Sequence, residues 1–302
     1  NNNKIAQVSA FFSKEAEFST DNILEIESEI SKALEENNIL QDDEKRIWVD
    51  CYSSAGKLTI SKEKSEMELK AIGVGGDYFL FHPLELVSGS FFSEKNVMRD
   101  LVVIDEDTAW RLFGSVDIQG KTIFISGVEH TISGVIKRDK GKLNKEAENN
   151  VPTIYVSFDT LKKYGKETSI TCFEVLLPNL TKNYGRNLIK SNLDYTSDLC
   201  EIVENSNRFS IISILKDIKN FENRSMKLNS IEYPYWENVA RGKENICMVF
   251  MLIEIIIIFV LLIYLMINVV KLFKKYGKKF KYKVKNIIEN IRINKNKKIT
   301  TV

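Results

Sequence analysis

The sequence predicts an α+β body, one membrane-spanning helix after it, and a basic amphipathic tail at the end. Three observations lead there. Short alternating apolar segments and helical apolar stripes intermix from residue 5 to residue 203, and the 44% hydrophobic content is enough for a real core. Ile246 to Val270 is a run of 25 residues with a single charge, Glu254. Charge is also divided: from Lys271 onward, twelve basic residues face one acid, whereas the 270 residues before hold 31 bases and 40 acids. An acidic body and a strongly basic end are built for different surroundings.

Ile5 to Phe12 reads as a strand. Asp21 or Asn22 then caps a helix, with Asn22 and Glu25 at capping-box spacing. Ile23, Ile26, Ile30 and Leu34 are its buried stripe, and Asn37-Asn38 end it. Ile47 to Tyr52 is a second strand, and Leu58/Ile60 with Met67/Leu69/Ala71 form a hairpin around a charged turn. A second group of elements follows from Tyr78. Leu101 to Ile104 is a strand, Asp105 caps a helix through Trp110 and Phe113, and Gly114 closes it. Ile123/Ile125 and Ile132/Ile136 pair around Gly127. Asp139 to Asn150 is a polar loop, Ile154 to Val156 a strand, and Ser157 caps a short helix ending at Gly165. Thr171 to Leu177, Lys182 to Leu193 and Cys200 to Val203 repeat strand, helix, strand, which predicts one sheet built from both ends around an insertion. A helix is expected from Ser210 to about Leu228.

As a helix, residues 246–270 extend about 37 Å, enough to cross a hydrocarbon core of about 30 Å with some tilt. Lysines crowd its C-terminal flank, so the positive-inside rule places the tail in the cytoplasm and residues 1–245 outside. A body exported from its N-terminal side calls for a signal peptide or, better, a further transmembrane helix upstream of Asn1. Tyr235, Trp236, Lys271, Lys274 and Lys275 are candidate membrane-interface anchors; packing of the body on its own stalk explains the two aromatics equally well. Glu254 lies at hydrocarbon depth, where an ionisable group meets a partner helix or an aqueous cavity, or else is protonated or snorkels. In the tail, Val269, Phe273, Tyr276, Phe280, Val284, Ile287 and Ile291 recur at helical spacing, with Gly277 as an interruption. Such a tail suits the anionic inner leaflet or a cytoplasmic partner, or merely fixes topology.

The residues needed for catalysis are not spaced for it. Gly114-Ser-Val-Asp-Ile-Gln-Gly120-Lys121-Thr122 has five residues between its glycines where a phosphate loop has four, and a strand follows, so it reads as a turn. Gly73-Val-Gly75-Gly76 lacks the third glycine of a dinucleotide fingerprint and reads as a tight bend. Four cysteines (Cys51, Cys172, Cys200, Cys247) are too few for a disulfide framework, and His82 and His130 have no ligand-like spacing to any of them. Catalytic, cofactor and metal sites are therefore not expected, and both histidines read as structural.

Five segments occur in the order of a known family. Ala71-Ile-Gly-Val-Gly-Gly-Asp-Tyr-Phe79, Leu86-Val-Ser-Gly89-Ser-Phe-Phe, Leu101-Val-Val-Ile-Asp-Glu-Asp-Thr-Ala-Trp-Arg-Leu-Phe-Gly114, Gly120-Lys-Thr-Ile-Phe-Ile-Ser-Gly and Thr131-Ile-Ser-Gly-Val-Ile136 together resemble the extracytoplasmic core domain of MacB-type ABC transporter permeases. The similarity extends from about Gln7 to Phe209. It implies a discontinuous porter-like α+β sub-domain (residues 4–77 and 167–209) and an inserted β-rich sub-domain (78–166). After these come a stalk (210–245), the transmembrane helix (246–270) and the tail (271–302). Permeases of the family carry one transmembrane helix before this domain and three after it, whereas one apolar run follows here.

The resemblance implies a non-catalytic membrane subunit of an ABC transport complex in the bacterial cell membrane. Its outer domain would couple to, or guide substrate for, a full permease served by a separate ATPase. The alternative is a membrane-anchored extracellular module that binds or senses a ligand, which a ligand-sized apolar pocket would favour. The lipid membrane is an expected partner under either function, and nucleic acid is not.

Overall fold

In the computed structural model, residues 5–39, 46–63, 65–93, 100–138, 141–142, 151–167, 169–219, 227–228 and 231–299 are described. The first strand, β1 (Ile5–Phe12), sends Ala6, Val8, Ala10 and Phe12 to one face and Ser9 and Phe11 to the other, all of them buried. Helix α1 (Thr20–Glu36) lays Ile23, Ile26, Ile30 and Leu34 on the first of these faces, as the spacing predicts. Each such side chain contributes about 1.5–3 kcal/mol relative to exposure. The cap differs from the expectation. Ser19, in extended backbone, is the N-cap, and its N–H donates to Asn22 Oδ1 at 3.0 Å. The box thus begins earlier than the Asn22–Glu25 spacing predicts, which leaves Asp21 in the first turn, beside the positive helix end.

β2 (Val49–Lys62) and β3 (Ser65–Gly76) form one long antiparallel hairpin, so the strand expected at Ile47–Tyr52 runs on into the hairpin arm. The Gly73–Gly76 run is not a bend throughout. Gly73 and Gly75 lie within β3, because a Cβ at Gly73 would fall 2.7 Å from Leu161 and one at Gly75 only 2.1 Å from the Tyr52 ring. Only Gly76, at φ +62°, turns the chain.

After α2 (Tyr78–Phe81) come β4 (Leu86–Gly89), β5 (Leu101–Asp105), α3 (Glu106–Phe113), β6 (Thr122–Ile125), β7 (Val128–Ile136), β8 (Thr153–Ser157) and α4 (Phe158–Tyr164). Asp105 caps α3 by accepting from Thr108 N–H at 3.0 Å, and Ser157 caps α4 through Thr160 N–H. Gly114 closes α3 in the left-handed region and Gly120 turns the chain toward β6, so the run between them, just ahead of Lys121, is a turn. The loop expected at Asp139–Asn150 lies outside the described residues, apart from 141–142. Then follow β9 (Cys172–Pro178), α5 (Tyr184–Ser191), β10 (Cys200–Glu204), α6 (Ile211–Lys219), β11 (Lys227–Leu228), β12 (Ile231–Glu232) and α7 (Tyr235–Ile299). The helix expected to reach Leu228 is described only to Lys219, and Lys227-Leu228 pair with Ile231-Glu232 as a small hairpin.

The main sheet has the order β10-β1-β9-β2-β3-β8-β5-β7-β4, so strands from both ends of the body meet at β1, β9 and β10. β6 pairs with both β2 and β7, which closes β2, β3, β8, β5, β7 and β6 into a ring. Leu58, Ile60 and Leu69 from the hairpin's far end fill that ring together with Ile104, Ile123, Ile132 and Ile154. On the opposite face, Cys51, Ile72, Val74, Val103 and Tyr155 bury against Tyr78 and its neighbours. Alternation along β2, β3, β5 and β8 produces the two sides.

The chain divides into two units, 1–245 and 246–302, so α7 begins within the body. Beyond residue 245 α7 is one helix, long and apolar enough to cross a membrane, with exposed apolar side chains. It continues through Gly277, where the sequence predicts an interruption; one glycine costs a helix only about 1 kcal/mol, too little to end it.

Candidate functional site

Residues 231–245 pack on the sheet face carrying Ser9, Phe11, Cys51, Cys172 and Glu174. Ile231 and Tyr233 bury with Phe11 and Cys172, and the Tyr233 ring meets Phe11 edge-on at 5.4 Å. The indole of Trp236 packs on Tyr78 at 5.9 Å and on His82 at 4.1 Å. Tyr235 and Trp236, candidate interface anchors in the sequence, are thus partly buried against the body's own core.

Glu237, Arg241 and Glu244 recur at i, i+4 and i+7, which places them on one side of α7. Arg208, from the loop after β10, lies between the two carboxylates. Its Nη2 donates to Glu237 Oε1 at 2.7 Å, its Nη1 to Glu237 Oε2 at 2.5 Å, and its Nε to Glu244 Oε1 at 2.5 Å. Arg241 Nε donates to Glu237 Oε1 at 2.7 Å and its Nη2 to Glu201 Oε2 at 2.9 Å. Glu201 also accepts from the Tyr233 hydroxyl, and the Arg241 guanidinium lies 3.8 Å above the Tyr233 ring. Arg208, Glu237, Arg241 and Glu244 are all buried, Glu244 to 1% exposure. Burial alone would weaken Arg208's hold on its proton. The hydrogen bonds and charges of Glu237 and Glu244 outweigh burial, so its pKa is raised and it stays charged. For Tyr233, burial first and then the bond to Glu201 push the phenol up.

Beside this network lies a second buried polar group. The register pairs Cys51 of β2 with Glu174 of β9, and His82, just past α2, reaches the same point. His82 Nε2 contacts Glu174 Oε2, Cys51 Sγ is 4.0 Å from that oxygen, and the three donor atoms lie within 4.8 Å of one another. Ser9 Oγ donates to the other carboxylate oxygen at 2.8 Å and itself accepts from Asn205 Nδ2 at 2.7 Å. Burial, then the neighbouring Glu174 charge, raise the Cys51 pKa well above its usual value. The separations are 92 residues for His82–Glu174 and 123 for Cys51–Glu174, so spacing in the sequence carries no sign of the cluster. Ligand-like geometry between a histidine and a cysteine, absent from the sequence pattern, is created by the fold. His130, by contrast, is buried with Nδ1 3.0 Å from the Val128 carbonyl and its ring edge-on to Tyr164.

A cleft of about 820 Å³ opens in the body, lined in part by Ser53, Lys57, Glu68, Lys70, Glu167 and Trp236. Its wall mixes charges of both signs with aromatic rings. The remaining sequence candidates, Glu254, Lys271, Lys274 and Lys275, are exposed residues of the helical unit 246–302.

The family model described as the MacB-like periplasmic core domain matches residues 8–181, more than half of the chain. Among curated proteins, the Macrolide export ATP-binding/permease protein MacB of Neisseria gonorrhoeae is 37% identical over 90 residues, covering 29% of this chain and 14% of that protein. The MacB of Chromobacterium violaceum is 33% identical over 79 residues, covering 25% and 12%. A probable export ATP-binding/permease protein of Pseudomonas fluorescens is 35% identical over 91 residues, covering 29% and 14%. The matched region is thus about one seventh of the length of these relatives. The solved periplasmic region of MacB from Actinobacillus actinomycetemcomitans aligns at 15% identity and TM-score 0.47, over 71% of this chain and 92% of that one. The extracellular domain of the ABC-type transporter YknZ from Gram-positive bacteria aligns at 15% identity and TM-score 0.44, over 65% and 99%. On the extent of the family match, this chain belongs to the MacB-like periplasmic core domain family.

Proposed function

We propose that the chain is a membrane subunit of an ABC transport complex. Its MacB-like body works outside the cytoplasmic membrane, and its lysine-rich tail lies in the cytoplasm. The observation that carries this function is the junction at residues 235–245. There a domain of an exporter-type family holds, by buried charge pairs on Arg208, the first turns of a helix whose sequence continues as the apolar span. A helix anchored in this way passes displacement between the body and the membrane, whereas a flexible linker would absorb it. Glu254 is the contact to a partner helix, since an ionisable group at that depth is best accommodated against another protein segment. Lys271, Lys274 and Lys275, with the headgroups they attract, hold the cytoplasmic end. The partners are a full permease and a separate ATPase chain, by analogy with the permease and ATP-binding functions named for its MacB relatives. Within the body, residues 4–77 and 167–209 act as a porter-like part and 78–166 as its insert, with the β2–β3 hairpin shared between them.

The test is recovery of the full chain in mild detergent and identification of the chains that co-elute. A permease and an ATPase are expected in stoichiometric amounts, and Glu254→Leu is expected to reduce the permease. Recovery of the chain alone would count against the proposal. The cleft favours a second function, a module that binds an extracellular ligand. Its wall combines apolar and aromatic surface with charged groups of both signs, which suits a ligand that has an apolar body and polar ends.

A further inference from the structure

We propose that Cys51, His82 and Glu174 bind a single divalent transition-metal ion of the zinc class, with a thiolate, an imidazole and a carboxylate as the three protein ligands. The donors come from β2, the residue after α2, and β9, and they converge within 4.8 Å of one another inside the body. Zinc bonds of about 2.0–2.3 Å at tetrahedral angles hold ligand atoms roughly 3.3–3.7 Å apart. The sulfur–carboxylate distance of 4.0 Å is already close to that span. The His82–Glu174 contact opens to admit the ion, the neutral imidazole binds through Nε2 with its one proton on Nδ1, and the Cys51 proton leaves to solvent.

Charge, chemistry and support agree with this assignment. Among the described residues, the only ion-pair partner of the buried Glu174 is His82. A dication with one thiolate, one carboxylate and a neutral imidazole is neutral overall, the state a dry site favours. One sulfur and one imidazole among three ligands disfavour magnesium and calcium, which take oxygen donors, and suit zinc. The carboxylate is oriented from behind by Ser9, which Asn205 orients in turn, the outer-shell pattern of metal sites. The Tyr78 and Trp236 rings pack against His82, and each carries a buried polar atom without a hydrogen-bond partner. Unmatched buried groups of this kind need an explanation, and water in the open fourth position of a three-ligand zinc site is one.

The experiment uses the full chain in detergent micelles, stripped with a chelator and titrated with Co²⁺ and then with Zn²⁺. One equivalent of Co²⁺ is expected to produce a sulfur-to-cobalt charge-transfer band in the near ultraviolet, and Zn²⁺ is expected to abolish it. Cys51→Ser should remove the band, and Glu174→Gln should weaken binding. Ser9→Ala, which spares the ligands, should weaken binding by about 10–100-fold while near-ultraviolet circular dichroism stays native. Cys200→Ala and Cys247→Ala should leave the titration unchanged. The proposal is overturned if no saturable single equivalent binds, if Co²⁺ binds without the thiolate band, or if Ser9→Ala is native in fold and unchanged in affinity. The triad would then be a buried hydrogen-bonded cluster only.

Discussion

The two buried polar clusters of the body solve the same problem differently. Around Arg208, two guanidinium groups face Glu237, Glu244 and the more exposed Glu201, and every one of these carboxylates has a charged partner. Around Glu174, one carboxylate is left with an imidazole, a thiol and a serine. Among its buried members two guanidiniums meet two carboxylates, with the third carboxylate, Glu201, reaching solvent, so the first cluster is balanced inside and reads as a fastening, while the second becomes balanced by taking up a cation. Buried charges cost several kcal/mol each unless paired, so the partners present show which task each cluster serves.

The sharpest way to break this comparison is Arg208→Ala. It leaves Glu237 and Glu244 buried and short of positive charge, and it should cost the body about 3–5 kcal/mol, read from the midpoint of a denaturant titration. Arg208→Lys should recover only part, because an ammonium cannot reproduce the forked contacts to both carboxylates. A loss below about 1 kcal/mol for the alanine variant would mean that the pairs do not fasten α7 to the body.

Glu174→Gln sharpens the other side. In the metal-free chain an amide keeps the bond from Ser9 and the shape of the carboxylate, so the cost should be about 1–2 kcal/mol, clearly below that of Arg208→Ala. Equal losses from the two substitutions would remove the distinction between the clusters.

Their legibility in the sequence differs for a physical reason. Glu237, Arg241 and Glu244 are on one helix, where spacing alone places them on one side, so that half of the fastening is encoded locally. The same holds for Ile23, Ile26, Ile30 and Leu34, for the Asp105 and Ser157 caps, and for the hairpin around Gly127. Arg208 joins its partners across a loop, and Cys51, His82 and Glu174 meet through strand register and a sharp turn at Gly76, which spacing does not encode. The small hairpin after α6 and the glycines inside β3 are hidden in the same way. Lys227-Leu228 take a strand because Ile231-Glu232 pair with them, and Gly73 is needed for the approach of Leu161, not for a bend. Contacts from distant parts of the chain override local preference in each case.

Cys200 supplies the smallest and most specific test, since it is a partly buried titratable group with no charge partner. It lies opposite Phe12 on β10, and burial, followed by the nearby Glu201 charge, pushes its thiol from 9.0 up to about 12. A thiol held neutral in the fold and free to ionise on unfolding favours the unfolded state once the pH exceeds the unfolded value. Its contribution is therefore complete below pH 9 and is lost as the pH rises toward 12. Discounted for partial exposure, the loss should be about 1 kcal/mol at one unit above the unfolded pKa. Because Cys51 and Cys172 are raised in the same direction, the wild-type chain alone cannot assign the slope. The difference between wild type and Cys200→Ala can, in denaturant midpoints compared between pH 8 and pH 10. The variant should fall less steeply with rising pH. If the two lines are parallel, Cys200 ionises as easily in the folded body as in the unfolded chain. A group left neutral by burial would then not belong beside the charge-paired and half-matched clusters as a third way of keeping polar groups inside.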